Sequence, residues 1–290
     1  MKKTSWTGWI LMAVLAAALL MPAPAGAFEV KIKLYGGYGY LLGGDLNSGT
    51  EGLGKMWLDL FDLLGASRTG SFEAAHYGLQ YGGDIIFMLS PNVGLGLGAE
   101  SIGMSKGSTA VSDLVGNPIS VAFQAKASAI PLKASLYFCA PFGPGARMTL
   151  HLGVGYYLAK MSNQVRLEQT IGTEFIDYSA SAESQALGFH GGLGFEFDLA
   201  RNVSLFIEAQ GRYAKLGGFE GENVYSSNSG SSREKGTLYY FETQGFISQF
   251  YSIIGCSDTA PVESASTKNV REAKIDFSGG TALGGIIFRF

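Results

Sequence analysis

The sequence predicts an all-β protein in which eight antiparallel strands run up and down and close into a transmembrane β-barrel, with long external loops that carry short helices. Three observations predict it. Apolar residues recur at every second position through most of the chain. Hydrophobic residues make up 47% and charged residues only 16% of it, against ~25% charged in an average soluble domain. Finally, the connections between the apolar segments alternate between short and long.

Mean hydropathy is +0.17, yet beyond residue 27 there is no apolar run of about eighteen residues that would make a spanning helix. A closed barrel reconciles these facts, because its backbone groups pair between strands and its apolar side chains occupy alternate positions only. The 42 glycines and 14 tyrosines suit such strands. At the start, "MKK" precedes an apolar run over 9–21 and then "APAGA", with small residues at Ala25 and Ala27. The run is shorter than the ~20 residues of a membrane span, and it is expected to be a secretory signal peptide covering 1–27. The barrel domain is then 28–290.

The strands follow in order. From Phe28, the row Phe28, Val30, Ile32, Leu34, Tyr38, Tyr40 is apolar, and Glu29, Lys31, Lys33 lie on the other face. In the second strand Tyr77, Leu79, Tyr81, Ile85 and Phe87 point out and Gln80, Gly82 and Asp84 point in, with Ile86 and Met88 joining the inward row. In the third, Val93, Leu95, Leu97 and Ala99 oppose three glycines and Glu100. The fourth alternates from Ile130 to Phe138 against Lys133, Ser135, Tyr137 and Cys139, while Lys126 falls on the apolar row, so a face-switching bulge is expected at Pro131. The fifth sets Met148, Leu150, Leu152, Val154, Tyr156 and Leu158 against His151 and glycines; the sixth sets Leu187, Phe189, Leu193, Phe195 and Phe197 against His190, Glu196 and Asp198. Val203, Leu205, Ile207 and Ala209 oppose Glu208 and Arg212 in the seventh, and "TALGGIIFRF" is the eighth. A period of two this persistent is not that of a helix.

Connections at 90–92, 140–147 and 200–202 are short, whereas 43–76, 105–123, 162–185 and 217–271 are long. That is the alternation of an outer-membrane barrel with short periplasmic turns, long external loops and both termini in the periplasm. A water-soluble barrel would reverse the two faces.

The segments "IPLKASLYF", "LHLGVGYYL", "LGFHGGLGFEF" and "IIFRF" resemble the bacterial outer-membrane β-barrel domain family that includes the small barrels of the outer-membrane protein W and X types. The resemblance implies an eight-stranded barrel delivered by the barrel-assembly machinery, which reads a last strand ending in Phe. Ile286, Phe288 and Phe290 would then be the insertion signal. It also suggests a hydrophobic mouth for small apolar solutes.

The inward rows supply Glu29, Asp84, Glu100, Glu196, Asp198 and Glu208 against Lys31, Lys33, Lys133, Arg212 and Arg289. Such balance favours a salt-bridged, filled lumen over a selective pore lined by one sign of charge. A narrow channel, widened by inward glycines, is the alternative. In the first long loop Trp57, Leu60, Phe61 and Leu64 have helical spacing; in the last, Phe246, Phe250 and Ile254 do. Two amphipathic helices are expected to pack on the rim or form an apolar mouth. Catalysis is not expected. His190 is the one histidine placed near mid-barrel, His76 with Glu73 and Ser71 near the outer rim matches no motif of a lipid- or peptide-hydrolysing barrel, and no phosphate loop, cofactor motif, metal-ligand spacing or nucleic-acid patch is present. Cys139 and Cys256 should stand apart by about the ~25 Å of an apolar band, beyond the ~7 Å Cα limit of a disulfide. The expected protein is a monomer of the outer membrane whose partners are lipid, lipopolysaccharide, the assembly machinery and a small apolar ligand at its mouth.

Overall fold

A computed structural model describes residues 29–71, 73–114, 117–169 and 174–290, so the segment 1–27, expected to be a signal peptide, lies outside the described residues. The fold is all-β, one antiparallel sheet of 14 strands with a single helix among the described residues. Eight strands pair in a closed ring in chain order: β1 (Glu29–Gly44), β3 (Tyr77–Ser90), β4 (Val93–Leu114), β5 (Asn117–Gly143), β6 (Ala146–Gln169), β7 (Phe175–Ala200), β8 (Val203–Tyr213) and β14 (Ile275–Arg289). The seam joins β14 to β1 through Lys31↔Arg289 to Gly44↔Ile275. Phe290 extends it, exchanging backbone hydrogen bonds of 2.9 and 3.2 Å with Val30. Tight turns link β3 to β4, β5 to β6 and β7 to β8 at one end. In the second of them Gly145 takes φ +68°, which a residue with a Cβ adopts only at a cost.

The long connections differ from expectation. Residues 105–123 and 162–185 are mostly strand, because β4, β5, β6 and β7 continue far beyond the ring as paired hairpins. The last connection carries no helix. It forms β9 (Lys215–Leu216), β10 (Glu220–Ser227), β11 (Gly230–Gln244), β12 (Phe250–Ser257) and β13 (Thr267–Glu272), which widen the β4–β7 wall in the order β7, β10, β11, β12. The spacing of Phe246, Phe250 and Ile254 is thus not a helix face: Phe250 and Ile254 are strand residues, rich in aromatic and β-branched neighbours, paired with Gln244 and Tyr240. The first connection does hold a helix, α1 (Asp45–Leu63), ten residues longer at its start than the segment from Lys55 that reads as amphipathic, followed by β2 (Ser67–Gly70) on β4.

Pro131 makes no bulge. Its strand keeps one register against β6 from Ile119↔Gln169 to Pro141↔Arg147, and odd-numbered residues of β5 stay buried from Val121 to Cys139. What changes near Pro131 is polarity, not direction. On the turn side, Ile130, Leu132, Leu136 and Phe138 face out and Lys133, Ser135 and Tyr137 face in; on the other side Gln124, Lys126 and Ser128 face out and Phe123, Ala125, Ala127 and Ala129 face in. β6 inverts at the same level, with Leu152 and Leu158 outward but Lys160 and Arg166 outward beyond them, and with Ala159, Met161 and Val165 inward. Parity is unbroken through both strands, so no slip of register accounts for the exchange.

Candidate functional site

The interior of the ring is the site that the sequence points to, and it is filled in two layers. In the layer nearer the turns, each of the eleven charged residues expected inside makes an ion pair. Arg289 reaches Asp198 at 2.7 Å, Glu196 at 3.3 Å and Glu29 at 3.9 Å, and Lys31 lies 3.8 Å from Glu196. Lys33 pairs with Glu208 at 2.6 Å, Lys133 with Asp84 at 3.1 Å and Glu100 at 3.2 Å, and Arg212 with Glu100 at 3.3 Å. Apart from Glu29 and Asp198 at the rim, these side chains are buried. Burial of that many charges is tolerable only with hydrogen bonds on their remaining atoms. Tyr35 Oη and Gln80 Nε2 donate to Glu100 at 3.0 and 2.9 Å, and Tyr137 Oη donates to Asp84 at 3.0 Å. Lys33 Nζ sits 4.4 Å from the Phe206 ring centroid.

Two histidines share this layer. His151 is fully buried, with Nε2 3.1 Å from Glu208 and its ring 5.7 Å from that of His190, whose Nε2 is 2.8 Å from Ser135 Oγ. His190 therefore contacts Ser135, and it is not alone at mid-barrel height. The inward glycines do not widen an empty tube. A Cβ on Gly96 would come 2.5 Å from the Tyr137 ring, one on Gly153 2.7 Å from His190 Nε2, and one on Gly192 would strike His151. Each of these three glycines is a recess that a large polar side chain of a neighbouring strand occupies.

The second layer, beyond the charges, is apolar. Leu46 of α1, Ile254 and Cys256 of β12, Leu238 of β11 and Phe277 of β14 pack against Tyr157, Met161 and the alanines of β5, β6 and β7. Small wall residues make the room: the alanine rows accept an inserted helix and strand where bulky rows could not. Gly49 and Gly52 let α1 cross β12 closely, since a Cβ on Gly49 would lie 2.9 Å from Ile254 and one on Gly52 would meet Ser252 O. The helix is pinned near both ends. Asp45 holds the Arg271 guanidinium in a two-pronged pair, one prong at 2.8 Å, and accepts from the Lys274 backbone at 2.7 Å. Asn47 donates to Ala75 O at 2.9 Å and accepts from its N–H at 3.0 Å. Tyr251 Oη donates to Asp59 at 2.7 Å, and Phe61 is buried with Val121, Phe123 and Val165.

Burial, and then the bond to Asp59, push the Tyr251 phenol up to about 12. Its folded value stands above the ordinary 10, so the neutral phenol is the form the fold favours. Its stabilisation is full below pH ~10 and fades as pH rises through about 12. Absorbance titration of phenolate, wild type minus Tyr251→Phe, should show one tyrosine ionising near 12 instead of 10; a difference centred at 10 would refute the clamp.

The six residues expected to form an apolar mouth lie along and just after α1 and around the β11–β12 turn. Trp57 and Phe61 adjoin, with ring centroids 6.5 Å apart, and Leu60 is half-buried. Leu64 and Phe246 stand in the open, and Phe250 lies under Lys268 Nζ at 4.1 Å. Near the rim, His76 Nδ1 is 3.0 Å from Leu41 O with its ring stacked on Tyr40, and Glu73 pairs with Lys106. Of the closing row, Ile286 and Phe290 are exposed on the outer face and Phe288 is half-buried there. Cys139 and Cys256 are both free, one against Met88 and Tyr137, the other in the apolar layer.

Tyr35, Gln80, Ser135 and Tyr137 belong to the network yet carry no charge to announce them; their place on inward rows is the signal. Nothing local links Asp45 to Arg271. No family model matches the chain, and no curated protein matches it.

Proposed function

We infer that the chain is a small outer-membrane β-barrel of structural or surface-interacting role, its lumen closed by the ion-pair layer and by the apolar layer that α1 and β12 complete. The observation that carries this reading is the inversion of polarity at constant parity in β5 and β6. A wall that is apolar outside along one stretch and polar outside along the next, with the interior reversed in step, suits strands that leave one solvent and enter another. The apolar stretch is of the right height: from Leu150 to Leu158 a strand rises about 27 Å at ~3.4 Å per residue, or about 20 Å along the axis at a ~40° tilt. Aromatic side chains gather at its margins. Tyr38, Tyr40, Tyr77 and Tyr213 are exposed toward one margin, with Tyr38 and Tyr77 stacked at 6.0 Å, and Phe138, Phe142, Phe197 and Phe290 toward the other. This is the disposition of interfacial girdles.

The test uses two outward positions of one strand. In bilayers Ala134→Arg, at the middle of the outward apolar row, should destabilise the barrel by about 2–4 kcal/mol, while Gln124→Arg should change it by less than about 0.5 kcal/mol. Urea unfolding in lipid vesicles, followed by heat-modifiable gel mobility, compares them. Equal effects would remove the membrane reading. Liposomes carrying the wild-type protein should release small ions and apolar solutes no faster than protein-free liposomes.

A further inference from the structure

We propose that an outward groove between β5, β6, β7, β10 and β11 binds the phosphorylated sugar headgroup of lipopolysaccharide. The proposal rests on the membrane-spanning reading. The groove has a volume of about 710 Å³, within the ~300–1,000 Å³ range of small-molecule sites. Its height matters first. Ile130 and Leu158 are register partners and the last apolar outward pair, and Ser128 and Lys160, the next outward pair, already line the groove. It therefore opens where acyl chains end and headgroups begin.

Its chemistry matters next. Lys160 is neutralised by Glu183 at 2.7 Å, and Glu222, within the groove, pairs with Arg233 at 3.4 Å. Lys126, on β5, and Lys235, on β11, are exposed at its two ends and have no ion-pair partner among the described residues. Between them lie the hydroxyls of Ser128, Ser162 and Ser181, with the Glu220 carboxylate beside them. Two separated ammonium groups suit a disaccharide phosphorylated at both ends, since lysine binds phosphate as a flexible point charge. The hydroxyls and the carboxylate suit the sugar's own hydroxyl and amide groups. A simple anionic lipid would use the lysines and leave the rest of the groove unsatisfied.

The experiment puts the whole protein into phosphatidylcholine nanodiscs doped with lipopolysaccharide or, in a second arm, with phosphatidylglycerol, and measures bound lipid by titration. Lys126→Ala with Lys235→Ala should weaken lipopolysaccharide binding roughly 30-fold, the loss expected for two surface lysines. Arg166→Ala, outside the groove, should leave it unchanged. Soluble glucosamine 1-phosphate should compete, and inorganic phosphate should compete more weakly. The groove assignment is overturned if the double variant binds as the wild type does, or if phosphatidylglycerol binds as tightly as lipopolysaccharide. A wild-type chain that fails to enter nanodiscs at all would overturn the membrane reading and this proposal together, whereas insertion without preference overturns this proposal alone.

Discussion

Glu100→Leu is expected to cost about 3–5 kcal/mol of stability, the largest effect of any single substitution in the interior. Glu100 is the hub of the ion-pair layer: Lys133, Arg212, Tyr35 and Gln80 all converge on its two oxygens. The loss would not measure what the ion pairs contribute, because charges brought out of water roughly offset their mutual attraction. It would measure Arg212 left buried without a carboxylate and Lys133 left with Asp84 alone. A companion variant separates these meanings. Glu100→Leu combined with Lys133→Met and Arg212→Met should recover much of the loss, though Asp84 then loses its lysine and recovery should be incomplete. Urea midpoints in vesicles give both numbers. A Glu100→Leu cost below about 1 kcal/mol would mean that water reaches the layer, and with it that the lumen is not packed.

Gly52→Leu should have the second largest effect, and a local one. Its side chain would run into the Ser252 backbone, so α1 must lift from β12 or the strand must shift. Overpacking of this kind costs about 1–3 kcal/mol, enough to raise amide exchange in α1 and β12 by about 5- to 150-fold. Exchange in the turn-side halves of β6 and β7 should not follow, since they pack around other side chains. Ion flux should also stay at background, because the charged layer closes the passage without α1. If Gly52→Leu opens conduction, the apolar layer is the only seal and the ion-pair layer is permeable.

The ring was legible because its outward and inward rows differ in polarity at most steps, so a period of two could be followed along each strand. The extensions were not legible for the opposite reason. Near Pro131 the two faces exchange polarity while the strand keeps its register, and a polarity exchange at fixed parity looks in sequence like a bulge. Lys126, on the apolar row of the same strand, is simply an outward residue beyond the apolar stretch. The first half of α1, "DLNSGTEGLG", reads as loop because Asn, Ser, Thr and Gly form helices poorly. Packing overrides that preference: the glycines that weaken the helix are those that let β12 approach it. The charged residues of the interior were legible from their rows, but their partners were not. Pairs such as Lys33 with Glu208 join positions 175 apart, and only the closed ring sets them side by side.

The seam between β1 and β14 gives the chain a particular order of events. β14 pairs with β8 on one side and β1 on the other, so it is the keystone of the ring, and it follows β8 only after the whole β9–β13 insertion. Until it is seated, both β1 and β8 present an open strand edge, a template for pairing with other chains. Contacts between residues so distant in sequence form slowly, since the loop-closure entropy precedes any reward. The interval during which the molecule is most prone to aggregate is thus set by its last strand, and a chaperone that shields two edges would protect it better than one that binds its apolar face.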